Sequence, residues 1–164
     1  MTNKNFLLLI SCLLIFSGCV SVQLGGGGAP KKSKNVSYTA PSKPFKESQS
    51  PNSDEIWAST KTASTISYFS SCSDTEPSLK SIRSSVLQGF EDFKITKEQT
   101  IEIDDREGLQ STVDGKLEGV PVRIEFIVFK KNSCSYNLTY VALKENFDKE
   151  LNEFNKFITS FKVP

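Results

Sequence analysis

Four carboxylates within six residues, Glu102, Asp104, Asp105 and Glu107, form the densest group of chemistry-capable side chains in the sequence. Carboxylates so grouped can bind calcium, or divide acid and base roles in glycoside cleavage when two of them face each other across a cleft. The spacing does not reproduce the twelve-residue calcium loop with its central glycine. In an extended chain Glu102 and Asp104 share one face and Ile101 and Ile103 the other, so the plainer reading is a solvated strand end running into a turn. No catalytic residue is assigned. The chain has no histidine, which removes the commonest general base and the commonest metal ligand. Serines are plentiful, but no Gly-x-Ser-x-Gly elbow occurs, and Ser81 beside Lys80 makes a poor dyad because adjacent helical residues point apart. Trp57 could anchor a sugar or a partner, although a lone tryptophan at the start of a domain more often packs inward.

The four cysteines (Cys12, Cys19, Cys72 and Cys134) divide into two pairs by setting. Lys4 precedes an uncharged stretch, residues 6–16, broken only by Ser11 and Cys12. That length suits the apolar core of a signal peptide and falls well short of the ~20 residues that span hydrocarbon. The segment Ile15-Phe16-Ser17-Gly18-Cys19 resembles the processing site of bacterial lipoproteins. The expectation is a signal peptide over 1–18 and a mature chain beginning at an acylated Cys19, anchored in a membrane by diacylglycerol and palmitate-type chains. An uncleaved signal anchor competes, because no charge occurs in residues 6–24. The glycines at 25–28 favour a tether over a continuing helix. Val20 in place of Asp after the cysteine favours the outer over the inner membrane, on the sorting rule of enteric bacteria. With Cys12 removed and Cys19 acylated, Cys72 and Cys134 are left in an oxidising compartment, where a disulfide is the default. Two separately buried thiols are the alternative. A metal site is not expected from two cysteines without histidine.

Lys4 leaves with the signal, so twenty basic side chains become nineteen, against nineteen acidic ones. That balance gives no electrostatic case for nucleic acid, and the length allows one core and no second. Residues 19–53 read as a flexible linker. Pro30, Pro41, Pro44 and Pro51 punctuate it, and Lys31, Lys32, Lys34, Lys43 and Lys46 face a single acid, Glu47. These lysines suit an anionic lipid or wall polymer, or simply a soluble tether.

The folded domain is expected over 54–164. Short strands are predicted at 55–59 and 64–71. A helix follows, capped by Asp74 or Thr75, opened by Pro77, carrying Leu79, Ile82, Val86 and Phe90 at helical spacing, and ended near Gly89. Strands at 94–103, 108–117, 120–130 and 134–143 come next. In the third of these Val122, Ile124, Phe126 and Val128 share a face, while Ile127 and Phe129 show that the other face is covered too. Glu118-Gly119 and Lys131-Asn132 are tight-turn residues, so the strands form an antiparallel meander. Last comes the apolar stripe Phe147, Leu151, Phe154, Ile158 and Phe161, with Asn146 as N-cap and Asp148 in the first turn. The fold class is α+β, an antiparallel sheet between two main helices.

The element order, the Gly–Val–Pro hairpin at 119–121, the run Asn132-Ser133-Cys134-Ser135-Tyr136-Asn137-Leu138 and the closing Ser160-Phe161-Lys162 resemble the PsbP-like fold. This α/β/α sandwich is shared by the photosystem II extrinsic protein, a Ran-binding nuclear-import factor and small bacterial lipoproteins. The resemblance implies a binding or assembly-assisting module rather than an enzyme. It implies no cofactor, since metal sites of plant members need histidines absent here. The expected protein is therefore a periplasm-facing envelope lipoprotein that meets the membrane through its anchor and holds an envelope protein or polymer. The alternatives are a carrier with a ligand between sheet and helix, and a carboxylate-dependent wall hydrolase. The glycosylation-type triplets at Asn35 and Asn137 are discounted.

Overall fold

Alternating side chains build the sheet that organises the molecule. The computed structural model describes residues 31–75 and 77–164. Seven strands, β1 (Phe45–Ser48), β2 (Glu55–Ser59), β3 (Thr65–Cys72), β4 (Glu91–Ile103), β5 (Arg106–Leu117), β6 (Val120–Lys131) and β7 (Cys134–Leu143), pair antiparallel in the order β1-β2-β3-β7-β6-β5-β4. The predicted meander is β4 to β7. Helix α1 (Leu79–Leu87) carries the chain from β3 to the far edge at β4, and α2 (Phe147–Ser160) follows β7 through a 3-10 turn. The helices lie on opposite faces, which makes an α/β/α sandwich.

The β6 pattern shows why. Val122, Ile124, Phe126 and Val128 meet Leu79, Ile82, Val86 and Leu87 of α1, while Ile127 and Phe129 join the cluster beneath α2. Both faces of this central strand are dry, as the doubled apolar pattern requires. Under α2 the core is aromatic: Phe157 lies 5.4 Å from Trp57 and 5.5 Å from Phe161, and Phe154 stacks 5.8 Å from Tyr140. Trp57 is 5% exposed and acts as packing.

Hairpin turns follow backbone chemistry. Glu118 and Gly119 both have positive φ, as a type I′ turn demands. At the β6–β7 turn the positive-φ pair is Asn132 and Ser133, one residue later than predicted; Lys131 stays in the strand opposite Cys134, its amine 2.8 Å from Asp104. Asp104 and Asp105 form the β4–β5 turn. For α1 the N-cap is Ser78 rather than Asp74 or Thr75. Its hydroxyl accepts the Ser81 N–H at 3.1 Å, the bond that defines a cap. Asn146 stands at the N-cap position of α2, but its carboxamide oxygen accepts from Lys149 instead of a backbone amide.

The largest departure from expectation concerns residues 31–53. These do not form a free linker, and the domain begins at the latest by Lys31 rather than at 54. The Cys72 N–H donates to the Lys31 carbonyl, and Ser37 and Lys162 exchange both backbone bonds at 2.8–2.9 Å. Ser33 Oγ meets Tyr136 Oη at 2.8 Å. Val36 and Tyr38 pack on the aromatic core, and Phe45 in β1 is buried. A few apolar residues spaced through a polar, proline-rich stretch suffice, because a preformed core receives them and satisfies the backbone. Cys19 and the remainder of the expected tether lie outside the described residues.

Candidate functional site

Helix α1 is too short to cover its face of the sheet. Its nine residues pack mainly over β5 and β6, with Val141 of β7 in the same cluster, leaving the rest of that face of β3 and β7 open. There the outward positions are Ser67, Phe69 and Ser71 on β3 and Ser135, Asn137 and Thr139 on β7, all intermediate in exposure. Between this floor and α1 runs a groove of about 620 Å³. Phe69, Pro77, Ile82 and Val86 give it an apolar wall, and Asn52, Ser81, Ser85 and Asn137 give it polar points. An open trough with a few convergent hydrogen-bonding groups is the usual form of a recognition surface. Among the described residues it contains no nucleophile paired with a base.

The opposite face behaves differently beyond α2. Gln99 donates to Gln110 at 2.7 Å, Gln110 to Glu125 at 2.8 Å, and Thr112 to Glu125 at 3.3 Å. Arg123 grips Asp114 with two bonds, and Lys144 adds a third contact at 2.8 Å. These contacts, led by the Arg123 hydrogen bonds, hold the Asp114 carboxyl down to about 2. Such a ladder satisfies its own polar groups.

The acidic cluster disperses. Asp104 is 6% exposed at its side chain and receives Lys131 at 2.8 Å, Lys162 at 3.3 Å and the Val163 N–H at 3.0 Å. Burial opposes its charge, yet these donors win and lower its pKa to about 2. Asp104 is thus a structural clamp between the β4–β5 turn and the segment after α2. Glu102, Asp105 and Glu107 are exposed around it. Among the described residues no group of three or more acidic or thiol side chains is placed to hold a metal, and no helix is long and apolar enough to cross a membrane.

Cys72 and Cys134 are disulfide-bonded directly across the last β3–β7 rung, with Cα atoms 4.0 Å apart. Of the triplet asparagines, Asn35 is exposed in the N-terminal segment and Asn137 lines the groove. Lys80 and Ser81 form no pair. From sequence Asn137 stands out only in the 132–138 run and as a glycosylation-type triplet, and Phe69 and Asn52 carry no site signal. Alternation in β3 assigns Phe69 to the face opposite Ile66 and Tyr68, but only the length and placement of α1 show that this face is bare.

No family model matches the chain, and no curated protein matches it. Solved structures do. Cyanobacterial PsbP (CyanoP) from Synechocystis sp. PCC 6803 aligns over 86% of this chain and 97% of its own, with 11% identity and a TM-score of 0.55. The fold is PsbP-like. LpqN of Mycobacterium tuberculosis, described as involved in cell envelope biogenesis, shares this PsbP-like architecture over 86% and 89% of the two chains, at 13% identity and a TM-score of 0.61. A Pseudomonas aeruginosa protein of unknown function, PA94, aligns over 86% and 88%, at 13% identity and a TM-score of 0.52. None of these three neighbours bears an enzyme's name.

Proposed function

We propose that this protein is a non-enzymatic envelope module, anchored by acyl chains on Cys19, that holds an envelope protein or polymer in the groove between α1 and the open half of β3 and β7. One observation carries the reading: the apolar-walled trough of about 620 Å³ left because α1 packs mainly on β5 and β6. A carrier would need its ligand lodged between helix and sheet. That space is filled beneath α2, where Phe154, Phe157, Tyr140 and Leu138 are fully buried, and beside α1 it is an open trough floored in part by serine and asparagine rather than an enclosed apolar cavity. A wall hydrolase would need two opposed carboxylates, and Asp104 is committed to Lys131 and Lys162. The description of LpqN as an envelope-biogenesis protein supports the setting.

A photo-crosslinking residue placed at Asn137 or Phe69 in the native envelope is expected to capture a discrete partner. The same residue at Gln99, on the self-satisfied ladder, is expected to capture none. Equal yields from both positions would remove the groove from consideration. Anchoring is tested separately: a palmitate analogue should label the native chain and not Cys19→Ser.

A further inference from the structure

We propose that the end of the domain bearing Lys31, Lys32 and Lys34 docks on an anionic bilayer. The biological setting rests on the anchoring of Cys19, but the binding surface and its test do not. Because Lys31 is tied to Cys72 and Ser33 to Ser70 and Tyr136, only twelve steps of chain separate Cys19 from the folded body. Twelve steps of chain reach no further than about 40 Å however they are arranged. The expected 34-residue spacer is therefore mostly spent on the fold, and this end of the sheet is the one held against the headgroups.

The chemistry of that end suits the position. Lys31 and Lys34 are exposed and make no ion pair among the described residues, while Lys32 shares its charge with Asp54 at 3.0 Å. Together the three lysines line a concave site of about 540 Å³ beside Ser73, Asn132 and Ser133, in which Asp74 is the one acid among the described lining residues. Lys131 and Lys162 lie on the same end and are offset by Asp104. Of the other acids of that end, Glu47 and Glu55 share a hollow with Lys32 and Asp54, so the unpaired positive charge rests on Lys31 and Lys34; Glu102, Asp105 and Glu107 sit on the β4–β5 hairpin. Three strand spacings separate β5 from β3, roughly 14 Å, beyond the screening length of about 8–10 Å at physiological salt. The exposed large apolar residues Phe93, Leu117 and Val120 are at the opposite end. Contact with the bilayer is thus electrostatic, without insertion.

The test uses the expected mature chain, residues 19–164 with Cys19→Ser, so that neither an acyl group nor the apolar stretch 6–16 supplies binding. It should sediment with phosphatidylcholine vesicles containing phosphatidylglycerol, fail to sediment with phosphatidylcholine alone, and be released by raised salt. Each near-surface lysine contributes about fivefold, so Lys31→Gln with Lys34→Gln should weaken partitioning about thirtyfold. Lys94→Gln with Lys97→Gln on β4 should leave it unchanged. Equal binding to neutral vesicles, no binding to either, or equal loss from both double variants would overturn the proposal. A chain that takes no palmitate analogue but still sediments would refute the anchor while sparing this surface. Preference for a soluble anionic wall polymer, seen as release from vesicles by it without a reciprocal lysine dependence, would also count against the bilayer.

Discussion

The two faces of the sheet receive helices of very different weight. Helix α2 has fourteen residues, of which Phe147, Phe154 and Phe157 are buried, and it closes a cluster that also takes in Tyr38, Trp57, Tyr68 and Phe161. Helix α1 has nine residues, four of them serine or lysine facing water, and buries only Leu87 completely. Stability is therefore concentrated on the α2 face, and the α1 face keeps room for something else. Aromatic burial at roughly 25 cal/mol per Å² explains the first half of that statement. The second half follows from helix length and placement: at 1.5 Å per residue the nine residues of α1 extend about 14 Å, and they pack chiefly on β5 and β6.

The sharpest way to break this contrast is to truncate one side chain on each face. Phe157→Ala, at a fully buried site ringed by aromatics, should cost about 3–5 kcal/mol in denaturant unfolding. Ile82→Ala in the half-covered layer should cost about 1 kcal/mol, because the side chain is only partly buried. Matching losses would show that α1 carries as much of the fold as α2. Next in size is the disulfide, which pins the seam between the two strands flooring the groove. It closes a loop of 62 residues, and replacing both Cys72 and Cys134 by Ser should lower stability by about 4 kcal/mol on the chain-entropy account. The same variant should crosslink more weakly from Asn137; undiminished crosslinking would show that the seam does not shape the groove.

A smaller effect concerns pH. The Asp104 carboxyl titrates at 3.8 in its ordinary state and at about 2 in the fold. Its contribution is complete above pH 4 and is lost as pH falls from there towards 2. The amount is at most about 2 kcal/mol, since solvent screens part of it. Asp104→Asn should be less stable than the parent at pH 7 and should lose less stability on acidification. Parallel pH curves for the two proteins would show that Lys131 and Lys162 do not stabilise the charged form. Because the clamp's partners Lys131, Lys162 and Val163 do not line the groove, crosslinking from Phe69 should be unaffected at neutral pH.

Much of the fold was legible beforehand. Six of the seven strands, both helices and the antiparallel meander follow from residue periodicity, as does the double burial of β6. The turn at Glu118-Gly119 was readable because its backbone demands positive φ. The shift of the β6–β7 turn by one residue was not, since Lys131 and Asn132 are both acceptable there by type, whereas in the fold Lys131 pairs opposite Cys134 and reaches Asp104. Strand β1 was missed for a related reason. Phe45 is one apolar residue in a polar stretch, and no periodic signal surrounds it. The groove was equally invisible, because a serine-rich strand face reads the same whether solvent or a partner covers it.

Residue order alone determined which segments are extended and which are helical, because period two and period 3.6 are local properties enforced by every side chain in the run. It also determined the expectation of an exported, acylated chain, which rests on a short motif around Cys19. Only the tertiary structure decided that residues 31–53 belong to the domain, that Asp104 serves as a clamp, and that part of one face stays uncovered. Each of these depends on groups far apart along the chain meeting in space, as Ser33 and Tyr136 do across 103 residues. No local pattern encodes such a meeting. It exists once the aromatic core under α2 has formed and offers buried donors, acceptors and apolar surface to whatever segment can reach them.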